Sequence, residues 1–165
     1  MIGDSTMANK DISGGKMERG WGMMLKNFFT EDVIVDNHAL NGRSSKSFIS
    51  EGHWQKVVEK IKPGDYVFIQ FGHNDEKDDP KRHTDPGTTF DENLRKFVKE
   101  TRMRGGIPVL FNSVVRRIFT NSKTAVADDD TRSNSSADLV EGDTLVDTHG
   151  DYLLSPRNVA RELDV

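Results

Sequence analysis

Two kinds of hydrophobic pattern alternate along this chain. In the first, apolar residues are almost continuous, as from Asp65 to Phe71, which is typical of a strand covered on both faces of a sheet. A second segment of this kind spans residues 107–114, and a shorter one, Val33–Val35, lies earlier in the chain. The pattern therefore predicts buried strands at residues 33–35, 65–71 and 107–114.

In the second pattern, apolar residues recur every three or four positions, which places them on one face of a helix. Pro63-Gly64 and Gly105-Gly106 are strong signals for the end of a helix. Strands and helices alternate without repeats, which predicts an α/β fold of three layers, with a parallel sheet between two layers of helices. The predicted helices span residues 21–29, 54–61, 90–104 and the neighbourhood of 159–163.

Two segments have the composition of loops. The polar stretch from Glu76 to Thr89 follows the clearest strand. The acidic residues from Asp75 onward are mixed with basic ones, which predicts a solvated loop rather than a cation site. Residues 116–146 contain an acidic run, Asp128–Asp130, and a polar run, Ser133–Ser136. We expect a long loop or insertion there, since long loops in compact domains are usually functional or disordered.

The two ends of the chain also bear on its organisation. Met1 and Ile2 are too few residues to form the strand that should precede Gly3. At the other end, Asp164-Val165 resembles the start of another strand. A chain of 165 residues fits one domain. We therefore expect residues 1–165 to form a single domain that is truncated at both ends.

Composition excludes several classes of function. The formal net charge is −4, and no basic stripe is present, which argues against a nucleic-acid-binding protein. The chain contains no cysteine, which excludes disulfides, thiolate catalysis and cysteine-based zinc sites. No apolar run approaches the length of a membrane span, so no membrane partner is expected.

Three residues suited to acyl transfer each follow a predicted strand. In an open α/β sheet the loops at the carboxyl ends of the strands gather where ligands bind. Ser5 is a candidate nucleophile there, although a helix N-cap would explain it equally well. Gly42 lets a backbone N–H approach an oxyanion, and Asn74 offers a side-chain N–H to the same oxygen. An ordinary turn glycine and an asparagine bonded to its own turn are the structural alternatives.

Their neighbours suggest contacts with a substrate. Arg43 either steers an anionic substrate or is simply solvated. His73 is adjacent to Asn74, and adjacent residues of a tight loop point apart. We therefore expect His73 to orient other groups or to contact substrate rather than to act as a general base.

Taken in order, these segments resemble the motifs of the GDSL-type SGNH hydrolases. The matching blocks are Gly3-Asp4-Ser5, Asn41-Gly42-Arg43-Ser44 and Gly72-His73-Asn74-Asp75. Together with Gly20-Trp21-Gly22 and Val114-Val115-Arg116-Arg117, they are similar to the rhamnogalacturonan acetylesterase type of carbohydrate esterase.

The resemblance implies a flavodoxin-like SGNH hydrolase fold and a serine esterase that removes O-acetyl groups from plant-wall polysaccharide. Ser5 would be the nucleophile, and the backbone N–H groups of Ser5 and Gly42 would form the oxyanion hole with the Asn74 side chain. The resemblance also implies substrate contacts from Asp4, Arg43 and His73. It implies no metal or organic cofactor, and it favours an exported protein.

One departure from the family keeps other functions open. The family has its base and orienting acid in a C-terminal Asp-x-x-His sequence, which does not occur in residues 1–165. Asp147-Thr148-His149 has the wrong spacing, and a capping role for Asp147 or Thr148 is favoured over a base at His149. A non-catalytic carbohydrate-binding or scaffold module is the main alternative. A phosphate-binding domain with Asp4-Ser5-Thr6 at a helix N-terminus is disfavoured by the acidic balance.

Overall fold

A computed structural model describes residues 1–116, 119–120, 144–145 and 147–165. Its centre is a parallel sheet of three strands in the order β1-β2-β3, with β2 in the middle. Ile2 pairs with Ile69, and Tyr66 pairs with Ile107. The predicted parallel sheet is therefore confirmed. The strands are β1 (Ile2–Gly3), β2 (Tyr66–Gln70) and β3 (Ile107–Phe111).

The predicted strand at residues 33–35 does not form. The chain runs beside β1 only at residues 36–40, where His38 N–H donates to Met1 O at 2.9 Å and Leu40 N–H donates to Gly3 O at 3.0 Å. The Met1 amino group donates to Asp36 O at 2.8 Å. Residues 33–35 therefore pair with no strand among the described residues.

The helices follow the predicted periodicity with two exceptions. The predicted helix at 21–29 is α-helical only as α1 and continues as a 3-10 turn, Leu25–Phe28. The helix predicted at 54–61 forms at His53–Val58, and a helix that the sequence did not predict, Ser45–Ser50, precedes it; Gly52, whose φ of 74° is left-handed, separates the two. The helices are α1 (Trp21–Met24), α2 (Ser45–Ser50), α3 (His53–Val58), α4 (Thr89–Met103) and α5 (Leu154–Leu163).

The long segment predicted as a loop contains a short antiparallel pair, β4 (Phe119–Thr120) and β5 (Thr144–Leu145). The acidic run at 128–130 and the polar run at 133–136 lie outside the described residues.

Side chains of β2 alternate between the two faces of the sheet, as strand geometry requires. Ile69 is fully buried in the main core cluster with Phe97 of α4, and Trp54 of α3 meets Phe97 edge-on at 4.9 Å between ring centroids. On the opposite face, Gln70 accepts a hydrogen bond at 2.7 Å from the Trp21 indole N–H. Each fully buried aromatic or aliphatic side chain contributes about 1.5–3 kcal/mol. The sheet thus has packed side chains on both faces, consistent with an α/β sandwich. No helix in the described part of the chain is long and apolar enough to cross a bilayer.

Candidate active site

Ser5 lies in a turn immediately after β1, at the carboxyl end of the strand. The turn is closed by hydrogen bonds from Met7 N–H and Ala8 N–H to Asp4 O, at 3.2 and 3.0 Å. No helix begins at this turn within residues 1–116, so the helix-cap alternative for Ser5 is wrong. Ser5 is partly exposed and lines a cavity of about 460 Å³. Other residues that line this cavity are Thr6, Trp21, His73, Val114 and Arg116.

Asp4 lies beneath Ser5 and has no exposed surface. Its Oδ1 accepts hydrogen bonds from Thr6 N–H at 2.9 Å and from the Thr6 hydroxyl at 2.8 Å. Its Oδ2 is buried without a hydrogen-bond partner among the described residues. Asp4 therefore shapes the turn that presents Ser5, and the predicted contact with a substrate would require that turn to open.

Gly42 occupies the turn that precedes α2. Its φ of 72° lies in the left-handed region that favours glycine, and open space surrounds the position of a Cβ. The turn alone therefore accounts for the glycine, and an oxyanion role for its N–H stays a prediction. The next residue, Arg43, is partly exposed and pairs through Nε with Glu51 at 3.0 Å. The predicted attraction of an anionic substrate by Arg43 also stays a prediction.

Asn74 lies in the turn after β2 and is buried. Its Nδ2 donates to the backbone oxygen of Arg43 at 3.0 Å, 31 residues away in the chain. The side-chain amide thus joins the turn after β2 to the loop before α2 instead of bonding its own turn. An amide group has two N–H donors, and this bond uses one of them.

Asp75 makes a second and stronger connection between the same two segments. Its carboxylate accepts hydrogen bonds from the Ser45 N–H and hydroxyl in α2, from the Thr84 hydroxyl and from Gly72 N–H. The side chain is fully buried, and burial raises its pKa to about 6 despite these donors. The predicted solvated loop is therefore wrong at Asp75, because the polar groups around it come from three separate segments.

A buried group of charges lies behind the cavity. Glu76 forms ion pairs with Arg116 and with His149 Nδ1, the latter at 2.7 Å. Arg116 also donates to the backbone oxygen of His73 at 3.1 Å. Sequence reasoning missed Glu76 and Arg116 as a pair, since 40 residues separate them and nothing local distinguishes them from solvated charges.

The two histidines of this region share one acceptor. Nε2 of His73 lies 2.7 Å from Val114 O, and Nε2 of His149 lies 3.1 Å from the same oxygen. Both ring nitrogens of His149 therefore lie within hydrogen-bond distance of an oxygen atom, Nδ1 of Glu76 Oε2 and Nε2 of Val114 O. Burial lowers the pKa of His73, partly opposed by the negative charge of Asp4.

The capping role predicted near the triplet at 147–149 is confirmed. Asp147 Oδ1 accepts from His149 N–H at 3.0 Å and from Gly150 N–H at 3.3 Å, where the short 3-10 turn Gly150–Leu153 begins. The described residues contain no group of three or more histidine or acidic side chains placed to hold a metal ion.

A family model described as the GDSL-like lipase/acylhydrolase family matches residues 1–162. The chain belongs to this family. All three motif blocks of the GDSL-like family lie within the matched range, and the resemblance drawn from the sequence is thereby confirmed.

Two relatives of this chain have names that specify an activity. Rhamnogalacturonan acetylesterase RhgT of Bacillus subtilis (strain 168) is 36% identical over 165 residues, which is 100% of this chain and 61% of that protein. Probable rhamnogalacturonan acetylesterase YesY of the same organism is 38% identical over 122 residues, 73% of this chain and 55% of that protein. This chain therefore spans about 61% and 55% of the lengths of these two relatives.

Two further comparisons agree with the GDSL-like assignment. Rhamnogalacturonan acetylesterase of Emericella nidulans is 39% identical over 75 residues, 46% of this chain and 27% of that protein. The crystal structure of YxiM from Bacillus subtilis superposes with a TM-score of 0.74 at 25% identity, covering 99% of this chain and 40% of that one. The α/β fold predicted from the sequence is confirmed by this likeness.

Proposed function

We propose that this chain contains the nucleophile and oxyanion-binding part of a serine esterase that removes O-acetyl groups from a plant-wall polysaccharide, of the rhamnogalacturonan or pectin class. The observation on which the proposal depends is the position of Ser5, partly exposed in a turn at the carboxyl end of β1 and lining a cavity with His73. The names of two relatives support the substrate class.

The chemistry follows from the groups around Ser5. Its Oγ attacks the acetyl carbonyl carbon, and its proton passes to a general base. The negative oxygen of the tetrahedral intermediate accepts hydrogen bonds from the N–H groups of Ser5 and Gly42 and from Asn74 Nδ2. The intermediate collapses to an acetyl-enzyme as the sugar oxygen leaves with a proton from the base.

Water then completes the cycle. The base removes a proton from water, which attacks the acetyl carbon, and acetate leaves as Ser5 regains its proton. The resemblance assigns the base to an Asp-x-x-His sequence, and His149 is unsuited to replace it because Glu76 and Val114 O occupy both of its nitrogens. Since the polymer is extracellular, the activity fits an exported protein.

The joined loops support the proposed oxyanion hole. Asn74 and Asp75 both bind the segment Arg43–Ser45, so the loop that contains Gly42 is hydrogen-bonded to the turn that contains Asn74. Preorganised donors of this kind stabilise a transition state because they need no rearrangement as charge develops.

The test is the Ser5→Ala variant of the full-length protein, assayed by acetate release from acetylated rhamnogalacturonan oligosaccharides and by p-nitrophenyl acetate hydrolysis. We expect kcat to fall by a factor on the order of 10⁴ or more, as when other serine nucleophiles are removed. Ser13→Ala, an exposed serine in another turn, is the matched control and should retain full activity. Glycan binding by a wild-type protein without ester turnover would instead identify a non-catalytic binding module.

A further inference from the structure

Arg19 is the exposed arginine of the cavity beside Ser5. Two arginines line that cavity, Arg19 and Arg116. Arg116 is 3% exposed and forms the ion pair with Glu76, so its charge is already used inside the protein. Arg19 is exposed, and no acidic side chain pairs with it among the described residues. The cavity can therefore offer a positive charge to a ligand through Arg19.

The backbone around Arg19 is held directly against the turn that follows β1. Trp21 N–H donates to Thr6 O at 2.8 Å. Gly20 is buried, and a Cβ there would lie 2.0 Å from Ala8 O, so a residue with a side chain could not approach this closely. The side chain of Arg19 therefore extends from a fixed backbone next to the turn of the nucleophile.

The guanidinium of Arg19 is also oriented. Its Nη1 donates to the backbone oxygens of Lys16 and Glu18, each at 2.8 Å. These two bonds use both hydrogens of Nη1, and the edge formed by Nε and Nη2 has no hydrogen-bond partner among the described residues. The N–H groups of this edge lie side by side, in the geometry that binds both oxygens of a carboxylate. A carboxylate could bind there with little rearrangement of the arginine.

Glu18 is the acidic residue that lines the same cavity, and its charge is paired elsewhere. Its carboxylate forms an ion pair with Lys10 Nζ at 2.7 Å. The Lys10 side chain is 8% exposed, and its Nζ also donates to Asn41 Oδ1 at 2.8 Å. Because Asn41 immediately precedes Gly42, Lys10 joins the segment of Arg19 to the loop of the proposed oxyanion hole.

We propose that Arg19 binds a uronate carboxylate of the substrate while Ser5 attacks a neighbouring acetyl ester. The inference rests on the proposed function, since the galacturonate units of a rhamnogalacturonan carry carboxylates. Nε and Nη2 of Arg19 donate to the two carboxylate oxygens, and Lys10 holds this contact in place relative to Gly42. Arg19 is therefore a specificity-determining residue that selects acetylated acidic glycans over acetylated neutral ones.

A binding experiment tests this site without depending on ester turnover. The ligand is an unacetylated rhamnogalacturonan oligosaccharide, and its matched control is the same oligosaccharide with the carboxylates reduced to primary alcohols. In calorimetry at low salt, the full-length protein should bind the acidic form at least about tenfold more tightly, as expected for charge-assisted hydrogen bonds. Arg19→Gln should remove this preference. Arg19→Lys keeps the charge but loses the planar fork, and it should retain only part of the preference.

Arg104→Gln is the matched control variant. Arg104 is exposed at the end of α4, shortly before β3 begins, so it lies at the opposite ends of the strands from Ser5. This variant should keep the full preference for the acidic oligosaccharide. Thermal unfolding shows that each variant is folded before its binding is compared.

Three results would overturn the proposal. Equal affinity of the wild type for the acidic and reduced oligosaccharides would do so, as would an unchanged preference in Arg19→Gln. An equal loss in Arg19→Gln and Arg104→Gln would reduce the effect to general electrostatic attraction. Failure of the proposed esterase is distinguishable, because the wild type would then prefer the acidic form, which supports the carboxylate site, yet release no acetate from the acetylated oligosaccharide.

Discussion

The side-chain amide of Asn74 donates a hydrogen bond to the backbone oxygen of Arg43, at 3.0 Å. This bond fixes the turn after β2 against the loop that contains Gly42. One of the two N–H groups of the amide is used in this way, which orients the other. The same side chain thus joins two loops, and its role as an oxyanion donor in the proposed reaction stays a prediction.

The first prediction concerns that donor. In the full-length protein, Asn74→Ala should lower kcat for acetyl ester hydrolysis by about 10²–10³, as loss of one oxyanion donor does elsewhere, with little change in KM. Steady-state kinetics give both constants, and thermal unfolding shows whether the fold is kept. The control is Asn27→Ala, which removes the side chain of an exposed asparagine earlier in the chain. A folded variant with unchanged kcat would make Asn74 a tether between loops and nothing more.

The second prediction concerns Glu76, whose carboxylate pairs with both Arg116 and His149. Glu76→Gln should lower the free energy of unfolding by about 3–5 kcal/mol, because Arg116 and His149 both lose their buried anionic partner. Urea unfolding of the purified protein measures the difference. Glu59→Gln removes the same charge from an exposed position and should cost less than about 1 kcal/mol. Equal effects of the two substitutions would mean that the Glu76 pairs contribute no net stability.

The third prediction concerns the pH dependence of stability at Asp75. Its pKa rises from 3.8 to about 6 in the folded protein, so between these pH values the folded state binds more protons than the unfolded state. Stability from this group is therefore present below pH 3.8 and is lost as the pH rises through about 6. The full change corresponds to about 3 kcal/mol.

Asp75→Asn isolates this contribution, since the amide does not titrate. The stability difference between wild type and variant should shrink as the pH rises from about 4 to about 7, in urea unfolding at a series of pH values. Carboxylates with lowered pKa, such as Asp11 beside Lys16, act in the opposite direction and cancel in this comparison. A difference that grows with pH would show that the hydrogen bonds from Ser45 and Thr84 outweigh burial.

Periodic segments of the fold were predictable because their pattern reflects burial over many residues. The strand predicted at 65–71 forms at Tyr66–Gln70, and the helix predicted at 90–104 forms at Thr89–Met103. Val33–Val35 has the composition of a strand, yet a strand needs a neighbour, and no described strand pairs with these residues. The break between α2 and α3 at Gly52 is equally a matter of local geometry that apolar spacing does not record.

By itself the sequence determined the α/β order, the family and the three loops in which Ser5, Gly42 and Asn74 lie, because these depend on residue types at short range. Only the tertiary structure decided that Asp75 is buried, that Asn74 bonds to Arg43, and that Glu76 joins Arg116 to His149. Asn74 and Glu76 are separated from these partners by 31 to 73 residues. The environment of a charged or polar group depends on which distant segments pack around it, and no local pattern encodes that.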